Sequence, residues 1–198
     1  MTKILFLPGA GASPDFWKPV AERLPADWPR HHFRWPGLGS QPPDPSIKSI
    51  DDLVRLVMTE MSEPVDLVAQ SMGGVVATRI AVAHPRLVRR LVLTVTSGGV
   101  DMASLGASDD WRADYRKAHP GAWITEAPAA ALVPVERIVA PTLLIWGDAD
   151  AISPVAVGEH LATRIPEAQL HVLPGGDHDL ARTMADQVAP LIALHLSR

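Results

Sequence analysis

Ser71 occupies the kind of turn in which a serine becomes a nucleophile. It lies in Val65-Asp66-Leu67-Val68-Ala69-Gln70-Ser71-Met72-Gly73-Gly74, where a buried-strand run meets a helical run through a small-x-Ser-x-Gly turn. A serine lifted out of a sharp strand-to-helix turn needs tiny neighbours two positions before and after it, because larger side chains collide across the turn. The helix that follows points its N-terminus, with unpaired N–H groups and partial positive charge, at the charge developing on an attacked carbonyl. The competing reading is that a serine before Gly-Gly merely caps a helix. The strand before Ser71 and the helical run after it favour the nucleophile.

Such a serine needs a base. Of the eight histidines, His178 in Pro174-Gly175-Gly176-Asp177-His178 follows the last strand-like run, in a loop whose glycines let the backbone fold tightly and carry an imidazole toward the middle of a sheet edge. The other seven fall within expected strands, helices or the segment read below as a cap. The base in turn needs a carboxylate to fix its tautomer and stabilise the imidazolium. Trp146-Gly147-Asp148-Ala149-Asp150 offers two, and the order Ser71, Asp150, His178 suits a sheet that presents a triad from successive loops. Asp148 has the alternative of capping its own turn.

Leu7-Pro8-Gly9-Ala10-Gly11-Ala12 follows the first strand-like run, and its small residues let backbone N–H groups approach a ligand. The stretch lacks the Lys-Ser/Thr of a nucleotide cradle and the spacing of a dinucleotide fingerprint, so a phosphate loop is the weaker reading. The amides of Ala10 and Met72 then form a candidate oxyanion hole.

Elements must exist to place these groups. Short apolar runs at Lys3–Leu7, His31–Trp35, Val65–Ala69, Leu91–Val95, Thr142–Trp146 and Gln169–Leu173 alternate with longer segments of helical period at Asp15–Leu24, Ser49–Met61, Met72–Ala83, Val155–Arg164 and Leu180–Leu196. This alternation predicts an α/β fold: a three-layer α/β/α sandwich on a mostly parallel sheet of about six strands, with right-handed crossovers. The segment 97–139 breaks the rhythm. It holds Trp111, Tyr115 and Trp123 and an Ala/Pro-rich stretch at Ala127–Pro134 that reads as a hinge. We expect it to be a short cap over the C-terminal edge of the sheet, where open α/β proteins bind ligands. A solvated insertion is the plainer alternative.

At 198 residues, 47% hydrophobic and 20% charged, the chain fits one domain with a sizeable core. A net charge of −4 without a Lys/Arg block argues against nucleic acid as a partner. No apolar run approaches the ~18 residues of a membrane span, and the first apolar run is too short for a secretory leader. The absence of cysteine excludes disulfides and a thiol nucleophile and suits a reducing cytoplasm. The histidines and acids do not fall at metal-ligand spacings, and no organic cofactor is implied.

Together these stretches resemble the α/β-hydrolase superfamily over most of the chain. Arg34-Trp35-Pro36-Gly37-Leu38-Gly39-Ser40 looks like the family's loop after its second parallel strand, and His84-Pro85-Arg86-Leu87-Val88-Arg89-Arg90-Leu91-Val92-Leu93 like its passage after the nucleophile. Pro141-Thr142-Leu143-Leu144-Ile145-Trp146-Gly147-Asp148-Ala149-Asp150 resembles the stretch bearing its acid, three residues after the glycine, which selects Asp150 over Asp148. The resemblance also assigns the oxyanion amides to Ala10 and Met72. Three positions depart from it: Pro8 where a histidine is common, Ala69 for the first elbow glycine, and Gln70 for a frequent histidine or aromatic. With the first strand-like run at Lys3, the resemblance leads us to expect a sheet without the family's leading antiparallel hairpin.

The resemblance implies a serine hydrolase of a carboxylic ester or related small acyl substrate. Position makes Phe16, Trp17, Met72, Trp111, Trp123 and Ile152 candidates to line an apolar pocket. A slow, ligand-binding relative of such enzymes, or a triad turned to C–C hydrolysis, perhydrolysis or cyanohydrin cleavage, are the alternatives. Haloalkane dehalogenation is disfavoured, because that chemistry uses a carboxylate where Ser71 stands.

Overall fold

The structure is a computed structural model that describes residues 2–107, 110–125 and 132–198. Most of the hinge expected at Ala127–Pro134 therefore lies outside the described residues.

In chain order the elements are β1 (Ile4–Leu7), α1 (Lys18–Ala21), β2 (Arg30–His32), α2 (Ile50–Met58), β3 (Val65–Gln70), α3 (Met72–Ala83), β4 (Val88–Thr94), α4 (Asp110–Ala118), β5 (Thr142–Gly147), α5 (Val155–Arg164), β6 (Ala168–Leu173), α6 (Leu180–Thr183) and α7 (Ala185–Leu196). All five strand pairings are parallel, in the order β2-β1-β3-β4-β5-β6. In β1, β3 and β5 every residue is buried. Their apolar runs are continuous rather than alternating because helices cover both faces of a parallel sheet.

The strand order also sets the layers. The chain moves from β1 to β2 in one direction and then crosses back past β1 to β3, from which it continues one way to β6. Right-handed crossovers therefore put α1 on one face and α2, α3 and α5 on the other. α6 and α7 return to pack with α1. The reversal between β1 and β3 opens a crevice at the C-terminal ends of these two strands, the place where an open α/β sheet can admit a ligand.

Several boundaries differ from those expected: the helical runs 15–24 and 49–61 form helix only over Lys18–Ala21 and Ile50–Met58, and three others shift as well. β2 covers 30–32 rather than 31–35: Phe33 still donates its N–H to Phe6 O, but Trp35 turns inward and its Nε1–H donates to Pro8 O at 2.7 Å. β4 starts at Val88 and ends at Thr94, because Val95 takes a positive φ of 41°. The helical run 180–196 divides at Met184, whose φ of −118° and ψ of 32° leave the helical region. At the start of α2 the Ser49 Oγ accepts the Asp52 N–H and donates to Asp52 Oδ2, a local N-cap that explains why helix begins there. Among the described residues no helix is long and apolar enough to cross a membrane.

Candidate active site

The turn after β3 puts Ser71 at φ 51°, ψ −121°, a conformation a non-glycine residue holds only when its surroundings over-determine it. Several contacts do so. Ser71 N–H donates to Thr94 O, while Ser71 O accepts the Gly74 N–H at 2.9 Å and the Thr96 hydroxyl at 2.5 Å. A Cβ on Gly73 would lie 2.5 Å from Pro8 O and 2.6 Å from Leu7 O, and one on Gly74 would overlap the Thr96 side chain. Gly73 thus lets α3 start directly against the end of β1, and Gly74 lets it pack on Thr96 after β4. The first small position is filled by Ala69, fully buried, so a methyl group is accommodated there.

The Ser71 side chain makes no cap to α3. Its Oγ lies 2.9 Å from His178 Nε2, and His178 Nδ1 lies 2.8 Å from Asp150 Oδ2. With a neutral imidazole, the network assigns Nδ1–H as donor to Asp150 and leaves Nε2 to accept the Ser71 hydroxyl proton. Asp150 is itself anchored: its side chain is fully buried, and Oδ1 accepts the N–H groups of Ile152 and Ser153 at 2.8 and 3.1 Å. The other carboxylate of the pair, Asp148, is exposed and faces the base's loop, where its Oδ1 accepts Gly175 N–H at 2.6 Å. Ala149 N–H donates to Gly176 O, and a Cβ on Gly147 would overlap the Gly176 backbone. The loops carrying the acid and the base are therefore packed backbone to backbone.

Met72 begins α3 directly after Ser71, and Ala10 sits in the loop after β1 next to Gly9, on which a Cβ would lie 3.0 Å from Ser71 Cβ. Among the described residues the N–H groups of Ala10 and Met72 donate to no carbonyl. They are two amides with free donors beside Ser71, one of them at a helix N-terminus.

The apolar candidates divide. Trp17 is 1% exposed, and its Nε1–H donates to Leu7 O at 3.1 Å; it is a core residue, which corrects the expectation that it lines a pocket. The reason is geometric: the short α1 turns its indole inward onto Phe6. Phe16 is half-buried, edge-on to Trp17 at 5.4 Å, and Ile152 is half-buried beside Asp150. Trp111 packs on Tyr115, and the Trp123 Nε1–H points to Pro36 O at 3.4 Å. Met72 is buried.

Sequence reasoning did not assign roles to Thr96, Tyr115 or Gln70. The Tyr115 hydroxyl donates to Ala10 O and accepts Gly39 N–H, which ties α4 to the loops after β1 and β2. Burial pushes its phenol above the usual tyrosine range, so it stays a donor at neutral pH. These three contacts join residues 25 to 108 positions apart, and no local spacing signals them. Being the sole tyrosine was the only hint at residue 115.

Two clefts of about 390 and 610 Å³ lie elsewhere, at the N-terminal ends of the strands, lined by residues such as Arg90, Thr142 and His195 in one and Lys3, Glu60 and Arg89 in the other. Neither borders Ser71, and none of their lining residues pairs a nucleophile with a base. Among the described residues no three His, Asp or Glu side chains are placed to share a metal ion.

Comparison with known proteins bears on the family and the fold. Residues 4–191 match the sequence model of the alpha/beta hydrolase family. The chain is 26% identical to a pimeloyl-[acyl-carrier protein] methyl ester esterase of Neisseria meningitidis serogroup A, over 96% of this chain and 75% of the relative. It is 25% identical to a poly(3-hydroxyalkanoate) depolymerase of Ectopseudomonas oleovorans, over 100% of this chain and 85% of the relative. Among solved structures, an enol-lactonase from Burkholderia xenovorans superposes with a TM-score of 0.79 at 20% identity, covering 100% of this chain and 92% of that one. The last likeness speaks for the fold alone.

Proposed function

The chain belongs to the alpha/beta hydrolase family, and from that membership and the site's geometry we propose that it hydrolyses a carboxylic ester or related acyl compound through an acyl-enzyme on Ser71. The observation that carries this reading is the unbroken chain of bonds from Ser71 Oγ to His178 Nε2 and from His178 Nδ1 to Asp150 Oδ2, at 2.9 and 2.8 Å. The names of the two curated relatives, both of which act on ester bonds, support it.

In this mechanism Ser71 Oγ attacks the acyl carbonyl while His178 Nε2 takes its proton, and Asp150 stabilises the imidazolium that results. The carbonyl oxygen becomes an oxyanion held by the Ala10 and Met72 N–H groups; removing one such donor typically costs about 10²- to 10³-fold in rate. The tetrahedral intermediate collapses, the carbonyl–oxygen bond to the alcohol breaks, and the alcohol leaves with the proton from His178. A water molecule then gives its proton to His178 and attacks the acyl-enzyme, and the acid departs as Ser71 recovers its hydrogen. Phe16, Trp111, Trp123 and Ile152 are the proposed apolar contacts for the acyl or alcohol part.

The test is intact-mass labelling with a small fluorophosphonate, followed by hydrolysis of short p-nitrophenyl esters. One adduct on the wild-type chain, lost in Ser71→Ala and His178→Ala, is expected. A well-folded wild-type chain that takes up no label and cleaves no ester would leave the ligand-binding alternative in its place.

A further inference from the structure

Gln70 precedes the serine and is 3% exposed. A long polar side chain is seldom so buried unless its amide is used. Two contacts show where this one goes. Its Nε2–H donates to the backbone carbonyl of His178 at 3.1 Å. Its Oε1 occupies the space that a Cβ on Gly9 would need, and the same imaginary Cβ would sit 3.0 Å from Ser71 Cβ and 3.2 Å from Gln70 Cδ. One carboxamide therefore touches the loop that carries Ala10 and the loop that carries His178, while its own backbone leads into Ser71.

The base's loop needs such a hold. It runs from Leu173 to Leu180 through Gly175 and Gly176, residues that give the backbone wide freedom. Asp148 grips it at Gly175 N–H, three residues before the histidine. Gln70 grips it at the histidine itself. A misplacement of about 1 Å between reacting groups can cost about 10²-fold in rate, so a bond at this carbonyl acts directly on the distance between His178 Nε2 and Ser71 Oγ.

We propose that Gln70 is a positioning residue that clamps the base's loop and the oxyanion loop to the nucleophile's turn, and that Gly9 is glycine because Gln70 fills the space above its α-carbon. The inference rests on the reading of Ser71 and His178 as nucleophile and base. It makes residues 9 and 70 a size-coupled pair.

The experiment measures fluorophosphonate labelling rate, and kcat and KM for a short p-nitrophenyl ester, in five proteins: wild type, Gln70→Met, Gln70→Ala, Gly9→Ala, and the double variant Gly9→Ala/Gln70→Ala. Methionine keeps the length of glutamine without its N–H. Expected for Gln70→Met is a fall of about 10- to 100-fold in kcat and in labelling rate with KM changed less than about threefold, the mark of lost geometry in the transition state rather than lost binding. Gly9→Ala is expected to be impaired, and the double variant to be no slower than Gln70→Ala, because the shortened side chain vacates the contested space and the added methyl then costs little more. Gln70→Met at wild-type rates, or a double variant slower than Gln70→Ala by the same factor that Gly9→Ala loses from wild type, overturns the proposal while Ser71- and His178-dependent labelling of the wild type keeps the enzyme reading intact. A wild type that does not label fails both.

Discussion

The Tyr115 hydroxyl donates to the carbonyl of Ala10 at 2.7 Å while accepting the N–H of Gly39 at 2.8 Å, so a single phenol joins α4 to the loops after β1 and β2. Tyr115→Phe removes both bonds and leaves two half-buried backbone groups to find water. We expect a loss of about 1 kcal/mol in stability, read as a lowered Tm, together with a severalfold slower ester hydrolysis as the Ala10 loop loosens. Unchanged Tm and rate would mean that α4 is held by its apolar contacts alone.

The two carboxylates after β5 separate by function. Asp150→Asn reverses the side chain's role toward His178 Nδ1 and is expected to lower kcat by about 10⁴-fold. Asp148→Asn keeps an acceptor for Gly175 N–H and should stay within a few fold of wild type. Kinetics of the two variants under identical conditions decide it; equal losses would make Asp148 more than a brace.

Close packing at the elbow predicts opposite fates for two glycines. A Cβ on Gly73 would meet the carbonyls of Pro8 and Leu7, whereas one on Gly11 would meet nothing within 4 Å. Gly73→Ala is expected to cost about 1–3 kcal/mol or more through overpacking. Gly11→Ala should fall within about 0.5 kcal/mol of wild type. Thermal or urea unfolding measures both, and a tolerated Gly73→Ala would show that α3 can retreat from β1.

Stability should fall on mild acidification. Burial, with the Arg90 guanidinium nearby, pushes the His195 imidazole down to about 4, whereas a histidine in the unfolded chain titrates at about 6.5. Between these values the unfolded state binds more protons, so this contribution is complete above about pH 6.5 and is lost as the pH falls toward 4. The ring's Nε2–H donates to Pro141 O, a bond that a glutamine can also make. Tm against pH should therefore be shallower for His195→Gln than for wild type across this range. Parallel curves would assign the acid sensitivity to other groups.

Much of this protein was legible in the chain. The continuous apolar run Val65–Ala69, followed by small residues around Ser71 and then a helical period, specified strand, turn and helix together, and the observed β3 and α3 differ from expectation by one residue at most. The loops bearing Asp150 and His178 were legible for the same reason, since each follows a strand and carries glycine. The boundaries of β2 and β4 were not: Trp35 leaves its strand to donate to Pro8 O, and Val95 ends β4 by taking a positive φ. Trp17 was a pocket candidate by position, and the inward turn of its indole places it in the core.

The sequence by itself determined which elements form and in what order, because hydrophobic period, glycine placement and turn chemistry act over a few residues. It also put forward Ser71, His178 and Asp150 as the candidate groups for chemistry. Tertiary structure alone decided that Asp148 braces the loop bearing His178 and that Gln70, Thr96 and Tyr115 tie distant loops together. Those contacts close across 25 to 108 residues. They exist because the parallel sheet brings the C-terminal ends of β1, β3, β5 and β6 to one edge, and distance along the chain carries no trace of that meeting.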